Sequence, residues 1–240
     1  MSTMTTTQIP TPRTAVRDWA TKRRSPTPWL QLGAVAGPVF LAACLVQATL
    51  RPGFDLTRNA ASLLSLGNLG WIQDLNFAIA GVLSFAGAIG LHRALGGTSG
   101  GTWLPRLFGA VGVGLGAASI FHPDPSGGFP PGTPVGASAT SNWHGMLHMV
   151  CGSIAFLALM VACFVFARRL TRIHHRGQAI GCRIAGIVFA VALANSGGRD
   201  GSVILFNGVS IAWLTVTACM LQLVWQVKPS KTPKHTGHVS

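Results

Sequence analysis

Apolar positions fall into six long runs along the chain, roughly 30–50, 74–92, 104–121, 145–167, 179–196 and 203–226, each closed by a short polar stretch. A bilayer core takes about 20 mostly apolar residues per helix, and each run is near that length. The pattern therefore predicts an all-α polytopic membrane protein, a bundle of six transmembrane helices over 29–227. The first run is too long for the apolar part of a signal peptide and is expected to be a retained span. "KRRS" before it is followed by "PTPW" instead of the apolar residues of a twin-arginine signal. Residues 1–28, rich in Thr, Pro and Arg, and 228–240, rich in Lys, Pro and His, are expected to be disordered basic tails.

Charge fixes an expected orientation. Only 10% of the 240 residues are charged against 49% hydrophobic, where a soluble domain carries about a quarter charged. The acids are Asp18, Asp55, Asp74, Asp124 and Asp200, with no Glu. Basic residues stand in blocks between the runs, a membrane pattern that argues against nucleic acid as a partner. Arg13, Arg17, Lys22, Arg23 and Arg24 precede the first run; Arg93 and Arg106 flank the second loop. Arg168, Arg169, Arg172 and Arg176 fill the fourth loop, and Lys228, Lys231 and Lys234 the C-terminal tail. The alternate loops hold only Arg51, Arg58 and Arg199. Positive loops stay inside, so both termini are expected in the cytoplasm. The basic N-terminal tail is also suited to lie on anionic inner-leaflet lipid. Trp29, Trp103 and Trp225 then fall near the inner ends and Trp71 and Trp143 near the outer ends, as interfacial belts require. Gly112 with Gly116, and Gly177 with Gly181, have the spacing that permits close helix contact. Cys44, Cys151, Cys163, Cys182 and Cys219 lie in apolar runs without CxxC spacing and read as small buried hydrophobes.

With that orientation, polar residues inside the runs gather toward the outer side. Gln47, Thr49, Asn76, Ser119, His148, Asn195, Asn207 and Ser210 share it. Polar groups in hydrocarbon normally face a bundle interior or a water-filled cavity, so an outward-facing polar pocket is expected, lined by Asn76, His148, Asn195 and Asn207. The outer loops add Asp55 and Arg58 in the first, where "AASLLSL" suggests a short interfacial helix, and His122, Asp124 and His144 in the third. The third is too rich in Gly and Pro for a long helix. "NSGGRDGS" is a tight turn carrying Arg199 and Asp200, read most simply as an exposed ion pair.

The stretch "NWHGMLHMV" comes nearest to a chemistry. At i and i+4, His144 and His148 share a helical face, and His122 and Asp124 across the loop would complete three imidazoles and one carboxylate, a set zinc accepts. With an open position such a metal would activate water. The simpler geometry keeps His144 at the water interface, with Asp124 capping a turn or paired with Arg58 or Arg199.

The loop "GFDLTRNAASLLSLGNLGW", the "FAIAGVLSFAGAIGL" after it, "IFHPDPS" after the third run and "WHGMLHMV" opening the fourth resemble the prokaryotic membrane family catalogued as domain of unknown function 998 (DUF998). Over roughly 33–225, Ser62 or Ser65, Gly67, Asp124 and His144 or His148 fill the family's positions, while "RNAAS" stands where members often carry a more polar turn. The resemblance implies fold and membrane location and brings no activity.

Three functional classes follow. The first is a non-enzymatic membrane protein whose outer pocket binds a lipid, a small ligand or a partner. The second is a metal-dependent membrane hydrolase using the outer-face His and Asp residues. The third is a small-solute transporter. The lack of HExxH, GxSxG and Glu weighs against catalysis, and the lack of an interrupted helix pair or internal repeat against transport, so the first is expected. Ala-, Gly- and Arg-rich, Lys-poor usage points to a bacterial plasma membrane.

Overall fold

The computed structural model describes residues 25–136 and 142–227. The expected tail disorder at 1–24 and 228–240 lies outside the described residues. Six α-helices follow in order: α1 Thr27–Leu50, α2 Gly70–Leu95, α3 Trp103–Ala118, α4 Trp143–Arg172, α5 Arg176–Ala194 and α6 Gly201–Val227. A short 3-10 helix, Ala61–Ser65, occupies the expected interfacial "AASLL" of the first loop. No strand occurs among the described residues. All but α3 are long and apolar enough to cross a membrane; α3 is apolar but has 16 residues. It stops at Ala118, short of the expected end near 121, as the chain turns toward Pro123. Helix α1 starts at Thr27, inside the expected tail, because Pro28 sits in its first turn, where a missing N–H costs nothing.

Successive helices pack antiparallel, and α6 closes back on α1, giving a ring of six with an added α4–α6 contact across it. The two ends of the ring differ. The loops 51–69, 119–136 and 195–200 meet at one end, and the turns 96–102 and 173–175, flanked by Arg93, Arg106, Arg172 and Arg176 on the adjoining helices, lie at the other.

The seams rest on small residues. Gly33 of α1 faces Gly87 of α2 with the Met220 methyl beside them, so a Cβ on Gly87 would meet the Gly33 Cα at 2.9 Å. Gly81 of α2 faces Gly112 and Gly116 of α3, as the small-residue spacing anticipates. Gly177 and Gly181 depart from that expectation: both are exposed, and an added Cβ on either meets nothing within 4 Å. They lie on the outward face of α5, and spacing alone carries no information about which face packs.

Pro38 lies inside α1 and cannot donate to the carbonyl of Ala34, four residues back. Thr217 of α6 supplies the missing donor, its Oγ1 lying 2.9 Å from that oxygen. In lipid an orphaned backbone carbonyl has no water to turn to, so this bond both mends α1 and ties it to α6. Four cysteines are buried in the core, with Cys151 half-buried, and all five are free thiols.

Candidate functional site at the loop-rich end

The first and third loops interlock as a lid over the ring. Arg51, at the end of α1, is buried and points its guanidinium back at the chain, with Nη1 2.9 Å from the Leu64 carbonyl oxygen and Nη2 2.5 Å from that of Leu66. The same group stands 5.3 Å over the Phe129 ring, which Phe54 meets edge-on. Burial draws the Arg51 guanidinium below its usual pKa. Asn59 is fully buried and stitches the loops together. Its Oδ1 accepts from the Asp55 N–H at 2.9 Å, and its Nδ2 donates to the Gly127 carbonyl at 3.0 Å. Gly127 has φ +64°, and a Cβ there would strike the Asn59 amide, so this crossing requires glycine. Ser202, opening α6, donates to the Arg58 carbonyl at 3.1 Å and brings in the last loop.

Beneath the lid lies a cavity of about 180 Å³ to which all six helices contribute. Its walls are chiefly Phe40, Phe77, Leu115, Phe156 and Phe206, its roof is Ala60–Ser62, and its polar groups are Ser62, His148, Ser153, Ser196 and Ser202. Met149 and Ser153 line it while also being exposed on the flank of α4, so the mouth opens sideways. Gly152 lines it too, with nothing within 4 Å of an added Cβ.

His148 is the one aromatic polar group in that wall and is 4% exposed. Its Nδ1 lies 2.7 Å from the Phe121 carbonyl oxygen. A carbonyl only accepts, so Nδ1 bears the proton and Nε2 is the acceptor of the neutral ring. The imidazole is thus fixed to the third loop while the residue lines the cavity.

The other expected pocket residues are placed differently. Asn76 is buried beside the cavity in a polar knot joining α1 to α2. Its Nδ2 and the Gln47 Nε2 both donate to Gln73 Oε1, at 3.2 and 2.7 Å, and Cys44 packs against the same group. Asn195 and Asn207 are exposed, each donating to the carbonyl four residues back, Val191 and Val203. Back-bonding satisfies an amide at a helix end without any cavity, so depth alone did not predict burial. The cavity is consequently more apolar than the asparagines suggested. Asp55 and Arg58 pair with each other at 3.0 Å on the lid surface, and Arg199 and Asp200 are exposed and form no ion pair among the described residues.

The expected metal set is spread over separate contacts. His122 Nε2 lies 3.1 Å from Asp74 Oδ2, tying the third loop to the start of α2. Asp124 accepts from the Asn142 backbone N–H and side-chain amide, while Asn142 caps α4 by accepting from the Gly145 N–H at 3.0 Å. His144 lies against Trp143, with ring centroids 3.8 Å apart and planes tilted by 41°, and its Nδ1 is buried without a hydrogen-bond partner among the described residues. Among the described residues no three His, Cys, Asp or Glu side chains form a group that could hold a metal ion. Asp124 takes the simpler, capping geometry.

Gln73, Arg51 and Gly152 were missed by sequence reasoning. Gln73 stands beside Asp74 in what looks like a polar helix start, and Arg51 reads as one more interfacial charge. Gly152 has no sequence signal at all, since its role is to leave space.

A ring of apolar helices around a roofed, side-opening cavity defines a multi-pass helical membrane protein. The chain belongs to the family described as Protein of unknown function (DUF998), which matches residues 34–225. No curated protein and no solved structure matches it.

Proposed function

We propose that this protein binds a membrane-derived amphiphile, a lipid or lipid-like small molecule, in the cavity beneath the lid, and that the lid faces outward from a bacterial plasma membrane with both termini in the cytoplasm. The observation that carries the reading is the shape of the cavity: roofed by Ala60–Ser62, walled by phenylalanines and opened on its flank at Met149 and Ser153. A ligand entering from that flank comes from the hydrocarbon layer. Its tail would replace lipid contacts with the phenylalanine wall at little cost. A hydroxyl or amide at its head would meet the polar groups of the wall, His148 and the serine hydroxyls.

Six crossings go with this orientation: five helices long and apolar enough to span, and α3 as the short one. Lid contacts such as Asn59 to Gly127, which join the loop before α2 to the loop after α3, support a pair in which α3 returns the chain that α2 carries across.

The test is photo-crosslinking of the full-length protein in membranes with a diazirine-bearing fatty acid. Labelling is expected at the cavity segments 149–156 and 202–209, and Gly152→Phe, whose Cβ would meet nothing within 4 Å and whose ring would occupy the cavity, should abolish it there. Labelling confined to outward residues such as Ile184 and Leu214, and indifferent to Gly152→Phe, overturns the proposal.

A further inference from the structure

The arginine-rich end carries a second site, unrelated to the cavity. Between α4 and α5 runs an open groove of about 430 Å³ lined by Phe164, Arg168, Thr171, Arg172, Arg183 and Ile187. Phe164 and Ile187, both exposed, form its apolar floor, and Phe164 is seated there because Gly186 leaves room for its ring. The three arginines form its rim. Arg168 and Arg172, one turn apart, also border a neighbouring groove of about 550 Å³ beside Trp103, Val161 and Val165.

These cations lack counter-charge within the described chain. Arg183 donates to the Thr171 hydroxyl at 2.8 Å and Arg172 to the Ser99 hydroxyl at 3.1 Å, both neutral acceptors. The ion pairs among the described residues are Arg58–Asp55 and His122–Asp74, both at the opposite end. The described acids, Asp55, Asp74, Asp124 and Asp200, all lie there as well. Three guanidiniums gathered over an apolar groove at a membrane boundary call for a ligand with an anionic head and a hydrocarbon body.

We propose that the α4–α5 groove holds an anionic phospholipid, its phosphate among Arg168, Arg172 and Arg183 and an acyl chain along Phe164 and Ile187. Guanidinium suits this role because its planar fork meets two phosphate oxygens at once. The site would mark the cytoplasmic leaflet under the orientation proposed above, yet lipid binding in detergent reads it independently of that orientation and of the cavity.

The experiment follows the melting of full-length protein in neutral detergent with added phosphatidylglycerol, phosphatidylcholine or inorganic phosphate. Phosphatidylglycerol alone is expected to raise the midpoint. Arg168→Gln with Arg183→Gln should weaken its apparent affinity by about fivefold for each arginine. Ile187→Trp, which obstructs the floor and keeps every charge, should weaken it too, and Arg199→Gln at the far end should leave it unchanged. An equal response to phosphatidylcholine, an equal response to inorganic phosphate, or a wild-type response from both the double variant and Ile187→Trp overturns the proposal.

Discussion

Asp124 holds the third loop against the start of α4 through a cap of two residues. Its carboxylate accepts from Asn142, whose own side chain accepts from the Gly145 N–H, so a negative charge lies at the positive end of the helix dipole. Asn142→Ala removes the cap and is expected to cost about 1 kcal/mol, with Asp124→Ala similar; both are read as a lowered melting midpoint in detergent. Gly145→Ala should also be harmful, since its Cβ would run into the Asp124 carboxylate. Asp55 gives a residue-scale test by pH. The Thr57 hydroxyl, then the Thr57 N–H and Arg58, hold its pKa below the usual carboxylate value. A depressed carboxylate contributes order that is complete above its ordinary pKa and fades as pH falls through the depressed one. Amide exchange at Thr57, corrected for its intrinsic pH dependence, should therefore speed up in acid, and Asp55→Asn should remove that dependence. Sequence alone identified Asp124, His144 and His148 as structurally placed groups at the mouth of α4. It offered no means of telling a cap from a ligand, because both chemistries ask for the same residue types.

Helix by helix, the apolar runs located all six elements, since a span must be apolar for most of its length whatever it packs against. That same uniformity hid the packing faces. An apolar helix has no polar side to define its buried one, so Gly112 and Gly177 looked alike, and so did Asn76 and Asn207. The Pro38–Thr217 pairing was equally illegible, because the two partners lie far apart in sequence. It yields a coupled prediction. Thr217→Val keeps the shape but orphans the Ala34 carbonyl, and should cost about 1 kcal/mol. In a Pro38→Ala background the helix can make its own bond to Ala34, and the same Thr217→Val change should be nearly neutral. Equal costs in both backgrounds, measured as a double-mutant cycle of unfolding in detergent, would show that the hydroxyl has another role. The glycine seams supply a second contrast. Gly87→Val should disrupt the α1–α2 seam and its Met220 contact and lower the yield of folded protein, whereas Gly177→Ala and Gly181→Ala should be tolerated.

For the whole molecule, the question is whether α3 counts as a crossing. Its 16 residues rise about 24 Å, against a hydrocarbon core of about 30 Å. A helix that short crosses only if its flanks reach the interfaces, and both of its ends are equipped for that: Trp103 and Arg106 at one, with the arginine 5.7 Å over the indole ring, and the bonded Ser119 cap at the other. Local thinning of the bilayer covers a mismatch of that size at modest cost. The lid gives the stronger argument. Asn59 donates to the Gly127 carbonyl at 3.0 Å, so the loop entering α2 and the loop leaving α3 share one side of the membrane. If α2 crosses, α3 crosses back. Reporter fusions after Gly128 and after Ser240 should accordingly read opposite sides, with Gly128 outside and Ser240 inside, where positive loops are retained. Signals from one side at both positions would mean an even number of crossings between them, and one of the three long helices α4, α5 and α6 would then have to lie flat.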